Sequence, residues 1–211
     1  MDQLRQLILQ GTLSPGQRLI ESELAELLGV TRGAVRSAIV DLGHEGLIER
    51  VANRGARVRV VCLDEAIQIT EICIALEGLC AGLAAERITD DQIRELGDLR
   101  DSLCKGVEAG DVIGTQLLNQ QLHQTIIELA DRPIATETLG KLRARNARHQ
   151  YRLAFRPGRT RRALEEHLDV IDAISSRDSA AAEAAMRRHM GEVLTALRDS
   201  VDAADPPIPY D

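Results

Sequence analysis

Val30-Thr31-Arg32-Gly33-Ala34-Val35-Arg36 lies between a short amphipathic segment and the run Leu42-x-x-Glu45-Gly46-Leu47. On a helix beginning near Thr31, Arg32 and Arg36 stand four residues apart on one face, while Val35, Ile39 and Leu42 point to the other. Such a helix has an apolar anchor and two guanidinium forks facing out. The planar fork of arginine bonds bidentately to phosphate oxygens and to the paired acceptors on guanine. An arginine pair of this spacing also describes a plain solvated face, so the flanking segments have to decide between the two.

They favour DNA. Glu23, Glu26, Leu24, Ala25 and Leu28 describe a two-turn helix that Gly29 ends as a left-handed cap, and Thr31 can cap the helix after it. Two short helices joined this tightly form a helix-turn-helix. Upstream, Leu4, Leu7 and Ile8 make a first helix that stops at Gly11, and Leu13-Ser14-Pro15-Gly16 reads as a turn. Downstream, Leu47-Ile48-Glu49-Arg50-Val51 and Ala56-Arg57-Val58-Arg59-Val60 are strand-like runs, with Ala52-Asn53-Arg54-Gly55 as the hairpin turn. Residues 1–62 therefore read as a winged helix-turn-helix DNA-binding domain.

These residues resemble the DNA-binding domain of GntR-type bacterial transcription regulators. The resemblance is carried by Gly11-x-Leu13-x-Pro15-Gly16-x-x-Leu19, Glu23-Leu24-Ala25, Leu28-Gly29-Val30-Thr31-Arg32-x-x-Val35-Arg36-x-Ala38, Leu42-x-x-Glu45-Gly46-Leu47-Ile48 and Asn53-Arg54-Gly55-Ala56-x-Val58. It implies a dimer that binds a palindromic operator and answers to a small metabolite, with repression as the expected outcome. By the same resemblance Thr31, Arg32 and Arg36 meet DNA from the recognition helix, and Arg54 and Gly55 from the wing. This chain has Gly33 and Ala34 where many members carry a polar residue.

The net charge of -7 looks wrong for a nucleic-acid binder until the chain is divided. Up to Val60 there are eight arginines against seven carboxylates, a balance of +1, which leaves -8 for the remainder. DNA binding is thus confined to the N-terminal part. With so few basic residues, affinity must come from dimerisation and well-placed contacts.

Only Phe155, Tyr151 and Tyr210 are aromatic, so the cores must be built from Leu, Ile, Val and Ala, which suits packed helices. The sequence shows neither an unbroken apolar run of membrane-spanning length nor a signal peptide, and a cytoplasmic location without membrane partners is expected. Cys62, Cys73, Cys80 and Cys104 lack Cys-x-x-Cys spacing and read as small buried hydrophobes in a reducing compartment.

Beyond Asp64 the pattern is helical almost throughout. Asp64 reads as the N-cap of a long helix to Glu86, Thr89 caps a second to Leu103, and Asp111 starts a third to Ala130. Pro133 and Pro157-Gly158 bound a fourth, and a fifth (161–176) and sixth (179–201) follow. The fold class is mainly α: a winged helix-turn-helix followed by an antiparallel helical bundle. Residues 63–203 would be the effector-binding and dimerisation domain, and 204–211 a disordered tail.

His123, His167 and His189 fall on three separate helices, and a bundle core is where facing helices assemble metal sites. Asn119 shares the face of His123. Neutral imidazole suits Zn, Ni or similar divalent ions and leaves positions open for water or a ligand. Residues 64–201 resemble the FCD effector domain of the FadR subfamily, through Leu76-Glu77-Gly78-Leu79, Leu83-Ala84-Ala85-Glu86-Arg87, Asn119-x-x-Leu122-His123, Glu166-His167-x-x-x-Ile171-x-Ala173-Ile174 and Ala182-x-x-Ala185-Met186-x-x-His189. The resemblance implies metal ligation by the three histidines plus an acidic residue four before the first, where this chain has Asn119, a neutral ligand that leaves the site more positive. The expected effector there, an anionic metabolite, would be received without the arginine that many members carry four residues before Glu77, since Cys73 stands in that place.

Arg159, two turns before His167, is a candidate effector contact. Arg143, Arg145, Arg148 and Arg152 read as a solvated face in preference to a pocket wall, and His44 and His149 as surface residues. Two other classes remain in play: a metal-dependent hydrolase with Glu165 or Glu166 as base, and a helical scaffold whose winged helix binds protein. Neither has a supporting motif such as His-Glu-x-x-His or a nucleophile elbow, and the chain is read as a non-enzyme.

Overall fold

The computed structural model describes residues 1–51 and 55–199. The wing-tip residues 52–54, Arg54 among them, and the tail 204–211 lie outside the described residues.

The N-terminal unit runs α1 (Asp2–Gln10), β1 (Arg18–Leu19), α2 (Glu21–Leu28), α3 (Arg32–His44), β2 (Ile48–Val51) and β3 (Gly55–Val58). Leu4 and Ile8 of α1, Leu24 of α2, and Val35, Ile39 and Leu42 of α3 recur at helical spacing and meet in one core with Ile48 and Val58. The tight joint between α2 and α3 depends on Gly29 at φ 65, which returns its N–H to the Ala25 and Glu26 carbonyls. Thr31 then caps α3, its Oγ1 accepting from the Ala34 N–H at 3.2 Å.

The sheet order is β1-β3-β2, antiparallel throughout, with Arg18 opposite Arg57 and Arg50 opposite Ala56. Along β3 the side chains alternate, Ala56 and Val58 inward and Arg57 outward. Sequence reading missed β1 because two residues carry no alternation, and it extended the last strand two residues too far. Arg59 still donates its N–H to the Leu47 carbonyl at 2.9 Å, the next position in the β2–β3 register, where the strand ends.

The C-terminal unit consists of α4 (Leu63–Arg87), α5 (Asp90–Glu108), α6 (Val112–Leu129), α7 (Pro133–Ala154), α8 (Arg159–Ser175) and α9 (Ser179–Arg198). Most of the expected caps are in place. Thr89 forms a capping box with Gln92, Asp111 accepts from the Gly114 N–H, and Pro133 starts α7. Asp64 is a correction: the cap position is Cys62, two residues earlier, and Asp64 in the first turn of α4 accepts from Gln68 instead.

α4 is the axis of the bundle. Its small residues Gly78, Ala81, Gly82 and Ala85 let α9 approach closely, so Arg187 lies over Gly78 and Ser179 over Gly82. α4 is long and apolar enough by length and composition to cross a bilayer, yet half of that stretch is buried within the bundle. Cys73 and Cys80 are buried as expected, whereas Cys62 is exposed.

α7 joins the two units. Its Ala147 packs against the N-terminal core, and its His149 Nε2 bonds the Val61 carbonyl at 2.9 Å. Its Arg145 side chain lies over Gly46, which has φ +82; a Cβ there would meet Arg145 Cγ at 2.8 Å. The arginine run is therefore not a solvated face, and His149 is half-buried at the junction between the units.

Candidate functional site

Arg32 and Arg36 are both exposed on α3, and Gly55, also exposed, opens β3 in the same unit. Arg36 is engaged by Glu21, its Nη2 2.6 Å and its Nε 2.9 Å from the carboxylate oxygens. His44 is exposed at the end of the same helix.

In the bundle, α6, α8 and α9 bring His123, His167 and His189 together. Their ligand atoms lie within 4.8 Å of one another, and all three rings are buried. His167 Nε2 stands 3.3 Å from His123 Nε2 and 3.2 Å from His189 Nε2. The three 3.6-period helices present one imidazole each to a common centre, which no single helix could do.

Two carboxylates set the ring orientations. His123 Nδ1 donates to Glu77 Oε2 at 2.5 Å, and His189 Nδ1 donates to Glu166 Oε2 at 2.7 Å. With those protons placed on Nδ1, both Nε2 atoms carry lone pairs, and both face His167 Nε2. His167 can supply at most one proton to two acceptors, and its own Nδ1 is buried without a partner. The centre is thus an electron-rich point short of donors. A divalent cation supplies what it lacks, so the residues present fit a metal.

The electrostatics agree. Burial, reinforced by the neighbouring imidazoles and Arg159, pushes the proton affinities of His167 and His189 well below that of an ordinary histidine, so both stay neutral and ready to ligate. Burial opposes charge on Glu77 too, but His123 and Arg143, together with the hydrogen bond from His123, hold its carboxyl at about 2. A buried carboxylate therefore stands behind His123. Burial raises Glu166 in spite of Arg159, whose guanidinium grips it at 3.1 to 3.2 Å.

Sequence reading named Glu77 and Glu166 without seeing these roles, and the pairing of Glu77 with a histidine 46 positions away has no local signal. As for a hydrolytic base, Glu165 is exposed and Glu166 is committed to Arg159 and His189.

The histidines open onto a cavity of about 550 Å³. Asn119, half-buried one turn before His123, lines it, as does Arg159. Arg143 of α7 lines it as well, near Cys73, whose thiol burial and then the charge of Glu77 push up to about 12. Arg5, Leu9 and Leu47 of the winged helix also form part of its wall. One cavity thus borders both units.

A winged helix-turn-helix carried on an all-helical unit is the build of a DNA-binding transcription regulator. Comparison with known proteins narrows the class. Residues 1–58 match the gntR family of bacterial regulatory proteins, and residues 68–192 match the FCD domain. The chain belongs to the gntR family, in the FadR-like branch that carries an FCD domain. It is 29% identical to the HTH-type transcriptional repressor RspR of Escherichia coli over 195 residues, 92% of this chain and 86% of that one. It is 28% identical to the Nta operon transcriptional regulator of Aminobacter aminovorans, over 89% of each chain. The structure of E. coli McbR/YncC superposes with a TM-score of 0.82 at 25% identity, covering 95% of both chains. These relatives are named as regulators and not as enzymes.

Proposed function

We propose that this regulator is a cytoplasmic homodimeric repressor that leaves its operator when a small anionic metabolite binds in the helical unit. Residues 1–62 act as the DNA-binding domain and 63–203 as the effector and dimerisation domain, a division supported by the two separate hydrophobic cores. Thr31, Arg32 and Arg36 read each half of a palindromic operator, with Arg54 and Gly55 of the wing beside the adjacent groove. The repressor reading is supported by the name of RspR.

His123, His167 and His189 would hold a divalent transition ion such as Zn or Ni, with Asn119 as a neutral fourth ligand. When bound, the ion supplies a Lewis-acid position for an anionic oxygen. Glu77 and Glu166 fix the tautomers of His123 and His189, and Arg159 holds Glu166 in place. The effector role read for Arg159 from sequence then becomes an indirect one.

The observation that carries this reading is the shared cavity, because a ligand filling it touches the histidine centre and the winged helix at once. Coupling between two such sites is reciprocal, so operator and effector must weaken each other by the same factor. The test starts from DNA retained from a random pool. His167→Ala should lose the metal by elemental analysis and lose ligand-induced release, while still binding that DNA. Wild-type protein without metal, or a variant that still responds fully, overturns the metal-based switch.

A further inference from the structure

Arg50 of β2 belongs to the core face of the sheet and yet is exposed. Strand alternation puts it on the same face as Ile48, and its partner across the ladder is the buried Ala56, just as Ile48 is paired with the buried Val58. Ile48, Ala56 and Val58 all pack into the N-terminal core. Arg50 stands two residues nearer the wing tip than Ile48, and there its side chain emerges past the edge of that core.

It emerges within electrostatic reach of Glu21, the first residue of α2. The Glu21 carboxyl is held below its ordinary value, first by the hydrogen bond from Arg36 and then, against a desolvation cost, by the charges of Arg36, Arg32 and Arg50. Three guanidinium groups, two from α3 and one from β2, thus gather around one carboxylate. Glu21 is bonded to Arg36, and among the described residues the side chains of Arg32 and Arg50 have no ion-pair or hydrogen-bond partner. The cluster therefore carries an excess of positive charge that the chain itself does not neutralise.

Nothing inside the fold calls for a cation at position 50, where an apolar side chain would simply extend the core face. A partner outside the chain does. When a helix-turn-helix docks on DNA its second helix enters the major groove, and a wing beside the adjacent groove leaves the sugar-phosphate strand that divides the two grooves running between them. Arg50 is placed between α3 and the wing.

We infer that Arg50 is a further DNA-contacting arginine, one that grips the phosphate strand between the two grooves and reads no base. The inference rests on the proposed assignment of α3 to DNA. It divides the work of the surface: Arg36 discriminates between sequences, and Arg50 fixes the unit on the duplex whatever the sequence. With a balance of only +1 up to Val60, a single well-placed phosphate contact carries a large share of the affinity.

The test compares salt titrations of the full chain and its variants on the selected operator and on a scrambled duplex, from about 50 to 200 mM NaCl. Arg50→Gln should weaken binding to both duplexes by the same factor and reduce the slope of log affinity against log salt by about 0.9 per bound chain, as loss of one phosphate contact requires. Arg50→Lys should keep the slope, because a phosphate answers to charge. Arg36→Ala should instead shrink the preference for the operator over the scrambled duplex. A neutral methylphosphonate placed at single positions of the half-site should weaken the wild type between the two grooves and leave Arg50→Gln indifferent at that position. Wild-type affinity and slope in Arg50→Gln, a loss confined to the operator at unchanged slope, or undiminished sensitivity of Arg50→Gln to every methylphosphonate overturns the inference. The two readings fail separately. If Arg50→Gln binds like wild type while Arg36→Ala loses the operator, α3 stays on the DNA and Arg50 leaves the interface; if Arg50→Gln changes the slope while Arg36→Ala binds like wild type, the phosphate contact stands and base reading by Arg36 falls.

Discussion

Arg36 of α3 is ion-paired with Glu21, the first residue of α2, through both oxygens of the carboxylate. The pair raises the proton affinity of Arg36 and lowers that of Glu21, chiefly through their hydrogen bond. It also means that the arginine proposed to read DNA is held by a carboxylate that a phosphate or a guanine must displace. Exposed pairs of this kind are weak and salt-screened, so the exchange is accessible.

Arg36→Ala is expected to weaken operator binding by about ten- to a hundredfold while leaving the fold intact, the cost of losing one bidentate contact. Glu21→Gln should act in the opposite direction, because it removes both the competitor for Arg36 and a negative charge from the DNA face. Titrations against the selected operator and a scrambled duplex measure both. Unchanged affinity in Arg36→Ala would remove α3 from the interface.

Glu77→Gln and Glu166→Gln test the carboxylates behind the ligating rings. Loss of such partners costs roughly 10- to 100-fold in metal affinity. The larger loss is expected for Glu77→Gln, since Glu77 is the fully buried charge. Competition with a zinc chelator gives the number, and an affinity equal to wild type in both variants would deny the carboxylates a positioning role.

The metal-free protein should be acid-sensitive in two separate windows. His167 and His189 have folded proton affinities below the ordinary value of 6.5, so between the two values the unfolded chain binds more protons and stability rises with pH. Their contribution is complete above about 6.5 and is lost as the pH falls below it. Glu77, held at about 2, adds stability that is present above its ordinary 4.5 and disappears as the pH falls from there toward 2. Thermal midpoints between pH 8 and 3 should fall first in the histidine window, and His167→Leu combined with His189→Leu should flatten that part of the curve. A midpoint indifferent to pH from 7 to 5 would contradict the burial of neutral imidazoles.

The homodimer is checked by sedimentation of the free protein and of the complex with selected DNA. Two chains per duplex are expected, on half-sites related by a two-fold axis and spaced by a helical turn. A single chain protecting a whole palindrome would contradict it.

How much of this was legible in the sequence follows the range of each interaction. Gly29 and Thr31 shape the α2–α3 joint through bonds three to five residues long, and Thr89 with Gln92 and Asp111 with Gly114 set helix starts in the same way. Signals of that kind are written in consecutive residues, which is why the winged helix, most helix starts and three histidines on three helices could be read directly. The Glu77–His123 bond, the Asn146–Thr70 bond and the seat of Arg145 on Gly46 join residues dozens of positions apart. A one-dimensional pattern tells that Arg143 lies on a helix but not which way that face is turned. Sequence by itself determined most of the elements and the candidate ligands. Only the packing of α4, α6, α7, α8 and α9 decided which charges became buried, which polar atoms were left without partners, and that one cavity reaches both units, because burial and pairing belong to the space between helices and not to any one of them.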